Sequence, residues 1–484
     1  MTSPHSKIRE SIQKLLCSKT DCLSHRNHQV ASESVHGQNL AAKRMSCVAC
    51  IEENKVCKCD HSIEHQDFKC EVNGGAVDEH PTMPDCSFAH AVINMSGMLI
   101  GLGQLSTPYA LEQGGWTSSF LLMGLGVMST YSSHLLGKCL DKNPKSRSYT
   151  DIGQHAFGSK GRAIAAAFVY LEIFMTLVSY TISLHDNIIT VFSGAQLRLP
   201  WANYLSASQL LTMIAVLLAL PSLWLRDLSS ISFLSTGGIL MSLVIFTSVA
   251  CTAIFGFVKA NRSIPLLQLH KIPSISGLYI FSYAGHLVFP NLHKSMKDPS
   301  KFTKVSIVSF GSVTTLYTVL AFMGAKMFGP EVSSQITLSM PRHLIITKIA
   351  LWATVLTPMT KYALELAPFA IQLERNLPLT MTPRTKMIIR GTVGSLLVLL
   401  VLALALCVPY FEHVLSLTGS LVSISICVIL PCAFYTKISW AQISKPVLFL
   451  NVALIAFGSF LGVIGTISSS SLLLRSLKTA HSSA

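Results

Sequence analysis

Apolar stretches of about 20 residues recur along most of this chain, between residues 87 and 468. Each of them is long enough to cross the ~30 Å hydrocarbon core of a bilayer as an α-helix. Only 12% of the 484 residues are charged, whereas a soluble domain carries about 25%. The chain is therefore expected to be a membrane protein rather than a soluble domain with a large core.

We count about eleven such stretches and predict an all-α polytopic membrane protein. The links at 112–115 and 225–228 are tight, which makes the helices on either side of each link antiparallel neighbours. The predicted spans lie near 87–111, 116–136, 163–191, 209–225, 231–258, 275–292, 305–328, 344–370, 391–408, 414–435 and 447–468.

The net charge of +14 comes from the loops of the membrane part, because residues 1–86 contain ten Lys or Arg and twelve Asp or Glu. A nucleic-acid-binding protein would carry a basic face or tail, so we expect no nucleic-acid partner. Lys and Arg concentrate in alternate short loops, which places the N-terminus in the cytosol. An odd number of spans then places residues 469–484, a short tail, on the opposite side.

Residues 1–86 are polar, lack a signal peptide's apolar region and show no helical or strand period, so we expect a disordered cytosolic tail. The tail holds eight of the thirteen Cys residues. Cytosolic thiols stay reduced, which argues against a disulfide framework. Cys47, Cys50, Cys57, His61 and their neighbours match no standard zinc finger. Unstructured thiols are therefore the expectation, and zinc binding is the alternative.

The first predicted span contains Gly97, Gly101, Gly103 and Pro108, residues that weaken a helix severely. An unpaired backbone group in lipid costs several kcal/mol. A break at this place therefore has to be buried in protein or line a water-filled cavity. The alternative is a continuous helix whose glycines form a close-packing face.

The sixth predicted span repeats the pattern, with Gly285, His286 and Pro290 in mid-helix. The first and sixth spans cross the membrane in opposite directions. Interrupted helices at corresponding places in two inverted halves indicate the binding site of a secondary transporter. N–H groups freed at a half-helix start bind a carboxylate, and freed carbonyls bind an ammonium group. A zwitterionic amino acid requires both.

Three ionisable side chains within the predicted spans are candidates for proton coupling, because buried charges are costly and mark functional sites. Glu172 is a candidate proton carrier, or a structural carboxylate paired with a neighbouring helix. His286 titrates near neutral pH, or caps freed backbone as a neutral ring. Lys361, one turn before Glu365, replaces a sodium ion with its ammonium, or anchors a helix end by snorkelling.

Several motifs occur in the order found in one family of transporters. They are residues 103–110 (GQLSTPYA), 148–153 (SYTDIG), 224–228 (WLRDL), 283–286 (YAGH), 295–298 (SMKD) and 361–364 (KYAL). On these motifs the chain resembles the amino acid/auxin permease superfamily, and within it the plant vacuolar amino acid transporter family. The resemblance implies a leucine-transporter-like inverted repeat, formed by helices 1–5 and 6–10, with helices 1 and 6 broken.

The resemblance also assigns roles to residues. It implies that the first unwound stretch and part of the second bind the substrate, together with an aromatic residue of the third helix. On this basis the substrate-binding residues are Ile100, Gly101, Leu102, Gly103, Gln104, Tyr180, Phe281, Tyr283 and Gly285. Glu172, His286 and Lys361 are the proton-coupling residues. Thr354 and Thr357 lie where sodium-coupled relatives bind their ion, or they bond backbone carbonyls one turn earlier.

The expected function is secondary transport of neutral amino acids, coupled to protons, as a monomer in a lipid bilayer. The vacuolar membrane is the expected location, and the plasma membrane is the alternative. The long tail suggests a second reading, an amino-acid sensor that signals through residues 1–86. The membrane part contains no nucleophile–base pair, metal motif or nucleotide-binding loop, so neither an enzyme nor a cofactor is expected.

Overall fold

The computed structural model describes residues 86–192, 209–214, 216–217, 228–260, 262–378 and 381–483. The predicted tail of residues 1–86, except Cys86, and most of the predicted fourth span lie outside the described residues. All regular structure in the described part of the chain is helical, which confirms the all-α class.

The helices lie at the positions of the predicted spans. They are α1 Phe88–Leu99, α2 Leu102–Gly114, α3 Ser118–Lys142, α4 Tyr149–Val191, α5 Leu228–Ile254, α6 Ile272–Ser282, α7 Phe289–Ser295, α8 Phe302–Phe328, α9 Ile345–Asn376, α10 Pro383–Cys407, α11 Phe411–Thr418, α12 Leu430–Ile438 and α13 Lys445–Ser483. The helix α13 thus continues past residue 468, where the sequence places the end of the last span.

By length and composition, seven helical segments of the described residues could cross a membrane, and the bent pair α1–α2, counted as one span, makes eight. The pair bends by 58° at its break. The first predicted span is therefore broken, as expected. The total of about eleven spans stays a prediction, because the fourth span falls largely outside the described residues.

The helix α4 shows how local sequence sets an element's bounds. It begins with a capping box, in which the Ser148 hydroxyl accepts from the Asp151 N–H and the Asp151 carboxylate accepts from the Ser148 N–H. The backbone is not helical at Phe157 and Gly158, where Gly158 has a φ of +65°. Glycine adopts this left-handed conformation without strain. A short leading helix therefore precedes the membrane-crossing part.

The two broken spans lie close together. The helix α2 packs against α6, and α8 packs against α1, α2 and α3. The backbone of Cys86, before α1, forms two 3.0 Å hydrogen bonds, one with Ser295 at the end of α7 and one with Lys297 just after it. A second bundle is formed where α9 packs against α4 and α5. The site is thus framed by both breaks and by α4, α8 and α9.

Candidate functional site

The first break is shorter than the sequence suggests. α1 ends at Leu99, Ile100 is extended, and Gly101 takes φ −154° and ψ −138° before α2 begins. The other residues of the predicted unwound stretch, Leu102, Gly103 and Gln104, form the first turn of α2. The prediction of unwinding as far as Gln104 was therefore wrong, because the first turn of a helix tolerates a glycine.

The second break lies where the sequence predicts it. α6 ends at Ser282, the residues 283–285 are not helical, and a 3₁₀ turn His286–Val288 leads into α7. Phe281 lies within the last turn of α6 and not in unwound chain. Pro290 occupies the first turn of α7, where its missing N–H would have had no helical partner.

Tyr317 of α8 joins the two breaks. Its hydroxyl donates to the Leu99 carbonyl at 2.8 Å and to the Ser282 carbonyl at 3.2 Å. The two carbonyls are the C-terminal ends of α1 and α6, which helix geometry leaves unpaired. The sequence analysis did not single out Tyr317. The one feature that could have pointed to it is a polar hydroxyl within an otherwise apolar span.

Lys361 of α9 reaches the first break. Its ammonium donates to the Ile100 carbonyl at 2.7 Å, and only 7% of the residue is exposed. An ideal Cβ on Gly101 would lie 3.2 Å from the Lys361 Nζ and 3.5 Å from the Tyr180 hydroxyl. The structure therefore brings Lys361, Tyr180 and the first break together. A snorkelling anchor would instead place its ammonium at the membrane surface.

The two glycines of the predicted site have close neighbours. A Cβ on Gly103 would come 2.5 Å from the Ser282 Cα, at the contact of α2 with α6. A Cβ on Gly285 would lie 3.1 Å from the Leu99 Cδ2. Gly103 is thus required for helix packing. The sequence offered a close-packing glycine face as the alternative to a break. The structure has both, with the glycine contact directly beside the break.

Gln104 contributes a free acceptor near the first break. Only 1% of the residue is exposed, and its Oε1 has no hydrogen-bond partner among the described residues. The carbonyls at the break are already engaged by Tyr317 and Lys361. A buried acceptor without a partner costs about 1–3 kcal/mol, and a bound ammonium or water would supply the missing donor.

His286 faces α3. Its Nε2 lies 3.0 Å from the Ser129 carbonyl and 3.0 Å from the Ser132 hydroxyl. A carbonyl only accepts, so Nε2 carries the proton and Nδ1 is a bare acceptor, without a partner in the described part of the chain. The ring also packs 4.8 Å from that of Phe289. These contacts fasten the ring to α3, and neither of them is to backbone freed at the break.

The hydroxyls of Tyr283, Thr354 and Thr357 bond to neighbouring helices or to their own helix. The Tyr283 hydroxyl donates to the Leu122 carbonyl and to Thr314, so this side chain fastens the second break to α3 and α8. Thr354 and Thr357 donate to the carbonyls four residues earlier, which is their packing alternative.

Glu172 lies on α4, 4% exposed. The Ser423 hydroxyl lies 2.9 Å and 3.0 Å from its two carboxylate oxygens. Sequence reasoning missed Ser423.

Known proteins resemble this chain over most of its length. The family model described as "Transmembrane amino acid transporter protein" matches residues 85–471. Amino acid transporter AVT1H of Arabidopsis thaliana is 60% identical over 439 residues, covering 90% of this chain and all of that protein. Amino acid transporter AVT1D of the same plant is 37% identical, covering 79% of this chain and 69% of that protein.

The fold also resembles that of a solved structure, MhsT in complex with L-phenylalanine. The two superpose with a TM-score of 0.54 at 11% sequence identity, covering 78% of this chain and 98% of MhsT. At that identity the likeness concerns the fold alone. It confirms the leucine-transporter-like architecture that the motifs imply.

Proposed function

The chain belongs to the transmembrane amino acid transporter family, and on this premise we propose that it moves neutral amino acids by secondary transport coupled to protons. One observation carries the proposal: the ammonium of Lys361 is buried against the Ile100 carbonyl at the first break. Freed backbone carbonyls at broken helices coordinate the coupling ion in many secondary transporters.

The proposed substrate site is the backbone of the first break and the residues around it. The N–H groups of Leu102 and Gly103 begin α2 and have no acceptor within that helix, so they suit a carboxylate. The unpartnered Gln104 Oε1 suits the α-ammonium, a role that the sequence assigned to freed carbonyls. Tyr180 supplies an aromatic wall near Gly101.

A neutral side chain fits this site best. A charged substrate side chain would need a counter-charge inside the membrane, because burying an unpaired charge is costly. The cation nearest the first break, Lys361, already donates to Ile100. A substrate whose side chain is uncharged makes no such demand.

We assign the coupling to Lys361 and Glu172. Protonated Lys361 holds the Ile100 carbonyl as a bound cation would, and loss of its proton removes the charge and weakens this bond. Glu172 is buried against Ser423 and changes charge when it binds a proton. His286 supports the second break as a neutral ring and is the least suited of the three predicted coupling residues. The vacuolar membrane remains our proposed location, on the resemblance to plant vacuolar transporters.

The test is uptake of a panel of labelled neutral amino acids by protein reconstituted into liposomes, with and without an imposed pH gradient. The wild type should respond to the gradient without sodium. Lys361→Met removes a charge-assisted bond worth about 1.5–3 kcal/mol, so gradient-driven uptake should fall by roughly 10- to 150-fold.

The matched control is Lys348→Met, which removes an exposed lysine from the same helix and should leave uptake unchanged. Uptake by Lys361→Met that still follows the pH gradient would contradict the role of Lys361. Wild-type uptake that needs sodium and ignores pH would contradict proton coupling altogether.

A further inference from the structure

The membrane helix between α11 and α12 is wound as a π-helix in two consecutive segments, Gly419–Ser423 and Ser425–Ile429. A π-helix is rare and usually marks a functional site. Ser423 and Cys427 lie four residues apart, so they share one face of this segment. Both are buried, with exposed fractions of 0% and 1%.

Ser423 stands between two acceptors. Its hydroxyl lies 2.9 Å and 3.0 Å from the Glu172 oxygens and 3.4 Å from the Thr418 carbonyl, five residues earlier in its own helix. A serine hydroxyl has one hydrogen and can donate fully to only one of them. The choice depends on whether Glu172 carries a proton.

The two protonation states give two patterns of hydrogen bonds. An ionised Glu172 only accepts, so it receives the Ser423 hydrogen in a charge-assisted bond. When Glu172 binds a proton, its own O–H donates to the Ser423 oxygen, and the Ser423 hydrogen is free to turn to the Thr418 carbonyl.

Cys427 connects the same segment to the second break. Its thiol donates to the Tyr283 carbonyl at a sulfur–oxygen distance of 3.8 Å. The sulfur thus contacts the first residue of the break, Tyr283. A shift of the π-helical segment would therefore change the position of the break's backbone at Tyr283.

We propose that Ser423 and Cys427 are positioning residues that link the protonation of Glu172 to the shape of the second break. This inference rests on the proposed function, since it gives the proton on Glu172 a route to the substrate site. Elements packed against α4 carry further ionisable side chains: Glu112 on α2, Lys361 and Glu365 on α9, Arg390 on α10, and His286 beside the break. Glu365 also interacts electrostatically with Glu172.

The experiment measures uptake as a function of pH for reconstituted full-length variants. Ser423→Ala removes the donor to the ionised carboxylate, so the pH of half-maximal uptake should rise by about one unit, a tenfold change in proton affinity. Ser423→Thr keeps the hydroxyl and should restore the wild-type midpoint. The control Ser425→Ala removes a hydroxyl of the same segment that bonds the Leu421 carbonyl, and it should leave the midpoint unchanged.

Cys427→Ala tests the second half of the link. Substrate KM should lose most of its pH dependence in this variant, whereas Cys427→Ser, which keeps a donor, should retain it. A wild-type midpoint in Ser423→Ala, or a wild-type pH dependence of KM in Cys427→Ala, would overturn the inference. Glu172→Gln distinguishes failure of this link from failure of the proposed proton coupling. If this variant keeps the wild-type pH profile, Glu172 is not a proton carrier and the proposed coupling fails as well.

Discussion

Replacing Tyr317 with phenylalanine removes the hydroxyl that, among the described residues, bonds the helix ends at both breaks. The lost hydroxyl shares its hydrogen between the carbonyls of Leu99 and Ser282. Both carbonyls then lose this donor. Each buried group left unpaired costs about 1–3 kcal/mol, so the site should be destabilised by roughly 2–6 kcal/mol, less where water enters.

Two measurements on purified protein test this value. Substrate binding to Tyr317→Phe should weaken at least ~30-fold, which corresponds to the lower figure of about 2 kcal/mol. Thermal unfolding in detergent should begin at a lower temperature. Transport should fall with binding, because the same backbone groups border the proposed substrate site.

The control is Tyr279→Phe, the same chemical change at an equally buried tyrosine of α6. The Tyr279 hydroxyl bonds only the Ser118 hydroxyl among the described contacts, so the expected cost is about 0.5–1.5 kcal/mol. Substrate binding should then stay within a few-fold of the wild type. Equal effects in the two variants, or normal binding by Tyr317→Phe, would refute the role assigned to Tyr317.

Two further changes test the packing around the site. Gly103→Ala would place a Cβ 2.5 Å from the Ser282 Cα and force α2 away from α6, so melting temperature and uptake should both fall. In the control Gly124→Ala the new Cβ would meet no heavy atom within 4 Å, so both quantities should stay at the wild-type level. A stable, active Gly103→Ala would contradict the tight contact. Gln335→Ala removes the amide that donates to Asp186 at 2.7 Å, which should cost about 1–3 kcal/mol and speed hydrogen exchange in the turn Ile336–Ser339. Unchanged exchange there would show that this contact does not hold the turn.

The sequence determined the architecture to a large extent. A membrane span must satisfy its backbone within a single continuous stretch, so its length and composition are visible locally. The breaks were visible for the same reason, since Gly101, Gly285 and Pro290 weaken a helix wherever it packs. Motif order then identified the family before any contact was known, and the family match over residues 85–471 confirmed it.

The partners at the breaks were decided only by the tertiary structure. Tyr317 and Lys361 lie more than 200 positions from the carbonyls of Leu99 and Ile100 that they bond, and Ser423 lies 251 positions from Glu172. Packing between helices brought these side chains together. The periodicity of apolar residues along the chain does not predict which helices pack against each other. The physical reason is that freed backbone groups in lipid need partners, but any nearby helix can provide them.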